Sequence, residues 1–231
     1  MTYFKAHDPS LLITPADDFM IHQIPAPVRH VGTSDRNFCE RCYFTGQGWQ
    51  QGLYLSSGFG QYPNLGVQDG WFGLADGEHQ RVLRVSREID DRMDTSVGPL
   101  RIEMIKPLRK LRLVVEENES AISADLVFDA TAPAFVEPHH VVRRHGRTIV
   151  ETERFSQIGN WTGTIEFRGT TYELSPDNWT GYRDHSWGIR PVGEPEPPGI
   201  QGVVPPNSST MRLEGMWTYC CVQFPDFEIL I

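Results

Sequence analysis

The sequence predicts an all-β protein, a barrel or sandwich of antiparallel strands behind an irregular N-terminal arm. Three observations carry this. Apolar residues recur with a period of two through most of the chain. Turn signals punctuate the alternating segments at roughly 8 to 12 residue intervals. No βαβ unit or phosphate-cradling glycine motif interrupts the pattern, and Gly 21 with Pro 17 make turns plentiful and long helices scarce.

Residues 1–36 form the expected arm. Thr14-Pro15-Ala16-Asp17-Asp18 has the form of an N-cap, a proline at the first helical position and acids in the first turn. Pro25 and Pro27 keep that helix short. Strands are expected from Asn37 onward. Leu111, Leu113 and Val115 alternate with Arg112, Val114 and Glu116; Ile122, Ala124, Leu126 and Phe128 alternate with Ser123, Asp125, Val127 and Asp129; Trp161, Gly163, Ile165 and Phe167 alternate with Thr162, Thr164, Glu166 and Arg168. One apolar face and one wet face mark antiparallel strands around a core. Pro63-Asn64, Asp76-Gly77, His145-Gly146, Arg168-Gly169 and Pro176-Asp177 are the expected turns. Asn160-Trp161-Thr162-Gly163 returns as Asn178-Trp179-Thr180-Gly181, which suggests two successive strands that start alike. Residues 191–209 carry Pro191, Pro195, Pro197, Pro198, Pro205 and Pro206; a loop of this length is a functional lid or a disordered insert. Phe227, Ile229 and Ile231 alternate as a strand, and a bare apolar strand at the chain end suggests either a fragment whose last domain is incomplete or a terminal strand buried in the centre of a sheet.

Composition narrows the function. Lys plus Arg is 21 against Asp plus Glu 30, a formal charge of −9. Nucleic acid and anionic membrane surfaces attract cationic proteins, so neither is an expected partner. No apolar run is long enough for a membrane-spanning helix. Met1 to Asp18 lacks a basic segment followed by an apolar core, so the expected compartment is the cytoplasm. The four cysteines fall in two pairs. Cys39-Glu40-Arg41-Cys42 has the spacing of half a zinc site or a redox pair. Adjacent Cys220 and Cys221 would point to opposite faces of a strand and could not complete such a site. Reduced, mostly buried thiols are expected. His139 and His140 also diverge on a strand, and His145 lies near 20 Å away along it, so no metal site is expected.

The densest chemical cluster is Gly181-Tyr182-Arg183-Asp184-His185-Ser186-Trp187-Gly188-Ile189-Arg190. In an extended chain Arg183, His185 and Trp187 share one face and Asp184 and Ser186 the other. The aromatic and imidazole groups could line a ligand pocket. Asp184, flanked by Arg183 and Arg190, fits either a buried ion pair or a desolvated, protonated acid. A polar network locking a strand junction, through Arg183, Ser186 and Arg190, is the structural alternative.

Asp184-His185-x-Trp187-Gly188 resembles the Asp-His-x-Trp-Gly motif of the hydroxyneurosporene synthase (carotenoid hydratase) superfamily. The longer run from Arg183 to Arg190 resembles the signature of its uncharacterised bacterial members. Phe155-Ser156-Gln157 with Thr162-Gly163-Thr164, and Gln61-Tyr62-Pro63-Asn64, are weaker matches, and the resemblance spans about residues 38–231. It implies tandem lipocalin-like barrels, a first over residues 37–147 and the start of a second over 148–231. It implies an apolar ligand of isoprenoid, lipid or polyketide type and cofactor-independent hydration, isomerisation or cyclisation. In that reading Asp184 is the acid and His185 its orienting or relay partner, with Tyr182, Trp187 and Trp71 as pocket aromatics. A lipocalin-like carrier without chemistry, or a barrel filled by its own side chains, are the competing expectations. The resemblance leaves the oligomeric state open.

Overall fold

The computed structural model describes residues 15–144, 146–191, 220–224 and 227–230. Pro15–Asp18 is a 3-10 turn, as the proline and the acids predict. Asp17 ties the arm together: its Oδ1 accepts from Val28 N and lies 2.8 Å from His22 Nε2. Asn64 Nδ2 donates to Thr33 O and Asp35 O, both at 2.8 Å, and fastens the arm to the barrel.

Strands follow in chain order: β1 Phe38–Gly48, β2 Leu53–Tyr62, β3 Val67–Ala75, β4 Gln80–Glu88, β5 Ser96–Val97, β6 Leu100–Lys106, β7 Lys110–Val115, β8 Ile122–Ala130, β9 Phe135–Val136, β10 His140–Arg144, β11 Arg147–Phe167, β12 Thr170–Leu174 and β13 Thr180–Ile189. They form one antiparallel sheet ordered β4-β3-β2-β1-β13-β11-β8-β7-β6-β5, with β9, β10 and β12 added along β11. Strands β3 and β4 approach β5 and β6, so the sheet curls into a nearly closed barrel. The predicted turns at Pro63-Asn64, Asp76-Gly77, Arg168-Gly169 and Pro176-Asp177 each join consecutive strands.

β11 begins at the expected 147/148 division and β13 follows it; β13 pairs with β1 along its whole length and β11 pairs with β8. Backbone pairing therefore ties both into the same sheet as β1–β8. β11 is the hub: residues 151–160 pair with β13 and residues 159–167 with β8. A separate pair, β14 Cys221–Gln223 and β15 Glu228–Leu230, forms a small hairpin. The proline-rich stretch beyond Pro191 and the terminal Ile231 lie outside the described residues. Among the described residues no helix is long and apolar enough to cross a membrane.

The period-two reading gives the core. Leu111, Leu113, Val115, Ile122, Leu126, Phe128, Trp161, Ile165 and Phe167 are all buried, joined by Phe44, Leu55, Phe72, Leu74 and Trp179. Trp161 packs edge-on to Phe44 and Phe128, and its Nε1 donates to Thr45 O at 2.8 Å. Both echoed tryptophans are core residues, although Trp161 lies in the middle of β11 rather than at a strand start. This half of the barrel is filled by side chains. The half formed by residues 38–42 of β1, the end of β2 and residues 183–189 of β13 is different, and it holds the site.

Candidate functional site

Even-numbered residues of β1 face inward, and register carries this across the sheet. Glu40, Cys42 and Phe44 lie opposite Trp187, His185 and Arg183 of β13. On the far side of β13, Glu153, Phe155 and Gln157 of β11 occupy the same rows. A polar cluster thus replaces the apolar core toward the open end.

Above it is a cleft of about 770 Å³. Its floor is Glu40, Cys42, Gln61 and His185, its walls Phe38, Phe59 and Trp187, and the arm residues Ile21, Ile24, Val28 and Val31 roof it. His185 Nε2 lies 2.8 Å from Glu40 Oε1. Arg92 Nη2 donates to Glu40 Oε2 at 3.0 Å, and its Nη1 donates to Val28 O at 3.0 Å. The chain imidazole–carboxylate–guanidinium therefore links β13, β1, the loop after β4 and the arm.

Burial opposes charge on His185, but the Cys42 sulfur and the Glu40 carboxylate outweigh it and push the imidazole up to about 10. Burial likewise opposes charge on Glu40, yet His185 and Arg92 hold its carboxyl below the usual range. Both directions favour an imidazolium–carboxylate pair at neutral pH. Trp187 stands edge-on to the His185 ring at 5.7 Å, and Phe155 lies 5.5 Å from His185 and 6.5 Å from Trp187.

Asp184 and His185 are not brought together. They are neighbours on a strand, so they leave it on opposite faces. Asp184 is buried on the outer face, where Tyr182 Oη donates to its Oδ2 at 3.4 Å. Tyr182 Oη also lies 2.9 Å from Ser156 Oγ, which donates to Glu137 Oε1 at 2.6 Å; Arg154 Nη1 reaches Glu137 Oε2 at 3.2 Å. Burial raises the Asp184 carboxyl and Glu137 adds to it, while Arg154, Arg190 and the Tyr182 bond pull it down. Glu40, not Asp184, is the partner of His185.

The other expected site residues divide the same way. Trp187 lines the cleft. Tyr182 lies behind β13, in the outer network. Trp71 is also outside: its ring lies flat on Gly58, where a Cβ would come within 1.9 Å of it, 6.2 Å from Tyr43 and under Arg41. The expected Arg183–Ser186–Arg190 network is split. Arg183 is inside with Gln157, whereas Arg190 donates from Nε to Cys39 Sγ at 3.4 Å. Ser186 is buried on the outer face. Gly188 has a packing reason: its φ is 132° and a Cβ there would meet Glu151 O at 2.1 Å.

All four cysteines are free. Cys39 is buried and faces outward, and Cys42 lies on the inner face, because three residues of strand reverse direction. Cys220 and Cys221 are exposed rather than buried. His139 lies beside Glu151 and Glu153, at 3.8 and 3.7 Å.

Glu40, Cys42, Arg92 and the roof at residues 21–32 were not among the expected site residues. Period two on Phe38-x-Glu40-x-Cys42 is the sequence signal that puts Glu40 and Cys42 on one face. Arg92 sits in an irregular acidic loop, and no local pattern points to it.

Fold and site together define a nearly closed antiparallel barrel, packed in one half and opening into an arm-roofed cleft with a His–Glu pair on its floor. The chain belongs to the family described as "Family of unknown function (DUF8625)", whose model matches residues 13–226. No curated protein matches it. A Nitrosomonas europaea protein named "putative ATTH" shares the barrel fold at 11% identity and a TM-score of 0.54, over 68% of this chain and 53% of that one. Kievitone hydratase from Nectria haematococca aligns at 16% identity and a TM-score of 0.48, over 69% of this chain and 52% of that one. The chain thus spans about half the length of these solved structures.

Proposed function

We propose that the cleft binds an apolar small molecule bearing a polarised double bond, and that His185 delivers a proton to it in a hydration, isomerisation or cyclisation. The observation that carries this is the His185–Glu40 pair on the floor of a cleft walled by apolar side chains. Glu40 orients the ring and keeps it protonated. Magnitude selects the substrate. Protonating an isolated alkene needs an acid far stronger than an imidazolium pushed up to about 10. Such a group is suited instead to a carbon or oxygen that becomes enolate-like, as in an α,β-unsaturated carbonyl compound. Trp187 and Phe59 supply apolar contact, and apolar residues of the arm cover the cleft.

Asp184 fits a positioning role in this proposal. It anchors the back of β13 through Tyr182, and thereby the row that presents His185. The test is incubation with conjugated isoprenoid and polyketide carbonyl compounds in ¹⁸O-water, with product masses read by mass spectrometry. Label-bearing hydrates or geometric isomers are expected from the native chain and not from His185→Asn or Glu40→Gln. Binding without turnover in all three would make the protein a carrier, and absence of binding would refute the proposal.

A further inference from the structure

We infer that Cys42 is a nucleophile of this cleft, positioned to add to an electrophilic double bond of an apolar α,β-unsaturated carbonyl ligand. This rests on the reading of the cleft as a ligand site and adds a covalent step to it.

Arg183 is 3% exposed, in the barrel interior. Its Nε donates to Gln157 Oε1 at 2.9 Å, Nη2 reaches the same oxygen, and the guanidinium lies over Phe155 and Phe128, at 5.2 and 5.8 Å. Among the described residues no carboxylate pairs with it. A buried cation whose partners are a neutral amide and two rings is an unusual and costly arrangement. Cys42 lies on the same inner face, one row along the β1–β13 ladder from Phe44, which pairs with Arg183.

His185 flanks the same thiol from the next inward position of β13. Cys42 and His185 are direct partners in the β1–β13 register, and both line the cleft. Glu40 holds that imidazole from its other side. Cys42 therefore lies on the floor of the cleft, directly across from His185 and one inward row from Arg183. Cationic, partly accessible surroundings are what make a cysteine reactive, because the thiolate is the attacking species. The CxxC partner Cys39 faces away, so a disulfide does not compete with this role.

The step balances without a further reagent. The Cys42 thiol gives its proton to water, and the sulfur forms a bond to the β-carbon as the carbon–carbon π bond breaks. The electron pair moves onto the carbonyl oxygen as an enolate, and His185 protonates the α-carbon and is reprotonated by water. The sum is addition of S–H across the double bond. Reversal after rotation returns the alkene in either geometry.

The test uses the full chain and N-ethylmaleimide, a small conjugated electrophile, with the alkylation rate of each cysteine followed by peptide mass spectrometry at pH 7. Cys42 is expected to react about tenfold or more faster than exposed Cys220. His185→Asn is expected to abolish that excess and leave the Cys220 rate unchanged. The native ratio needs no variant, so poor folding of His185→Asn leaves the test intact. Equal or slower labelling of Cys42 overturns the inference. Binding of cis-parinaric acid, read by fluorescence, separates the two proposals. If it binds while Cys42 labels slowly, the nucleophile fails and the ligand cleft stands. If Cys42 labels rapidly but cis-parinaric acid neither binds nor protects it, the nucleophile stands and the apolar-ligand reading fails.

Discussion

Replacing Glu40 by Gln tests the central pair most directly. The variant keeps the shape and one acceptor oxygen for His185 but removes the negative charge that both His185 and Arg92 face. In the native protein the His185 imidazole is pushed up to about 10, with the Cys42 sulfur and the Glu40 carboxylate outweighing burial. The ordinary value is near 6.5. If the two groups share that rise comparably, Glu40→Gln lowers the His185 midpoint by about 1.5 to 2 units, or roughly 2 to 3 kcal/mol of preference for the imidazolium at 1.36 kcal/mol per unit. The Glu40 side chain is 34% exposed, so solvent screening reduces the stability cost to about 1 to 2 kcal/mol. The direction with pH follows from linkage. A raised folded-state value stabilises fully below the unfolded value and is lost as pH rises through about 10. Native stability should therefore fall between pH 7 and 10 more steeply than that of Glu40→Gln. The assay is the ¹H–¹³C NMR titration of the His185 ring, with urea unfolding at pH 7 and 9. A native His185 that titrates near 6.5, or one whose midpoint Glu40→Gln leaves unmoved, would refute the pairing as the source of the charge.

Other substitutions probe the frame around the site. Asp184→Asn should fold with stability at pH 7 changed by less than about 1 kcal/mol, because it removes a carboxyl whose charge burial disfavours and gives up only the long contact with Tyr182. It should also flatten the native loss of stability as pH rises from about 4, both read from urea melts. Gly188→Ala should cost on the order of 1 to 3 kcal/mol, since it forces a side chain into a left-handed backbone against Glu151 O. Trp161→Ala should cost about 3 to 5 kcal/mol through the cavity it leaves between Phe44 and Phe128; thermal unfolding checks both.

The roof shows how the site depends on distant contacts. Arg92 holds Glu40 with one nitrogen and the arm at Val28 with another, so the group that tunes the acid also fastens the lid. The arm is pinned elsewhere by Asn64, from the Pro63-Asn64 turn. An asparagine that reads locally as turn chemistry thus helps define the cleft.

Local pattern by itself determined the strands, their buried faces and their turns, because period two is a property of extended backbone and needs no knowledge of neighbours. It determined the short proline-led turn of the arm, and that His185 and Trp187 share a face that Asp184 does not. Tertiary structure decided the partners. β13 slots between β1 and β11, 132 residues after β1 ends, and that long-range pairing seats His185 against Glu40 and Cys42, and Arg183 against Gln157. Strand order is a matter of closing the barrel, with which remote edge meets which, and alternation along one strand carries no record of it. Asp184 and His185 are adjacent in the motif and point to opposite faces, because alternation separates consecutive side chains; the pairing of remote strands then gave each a different company.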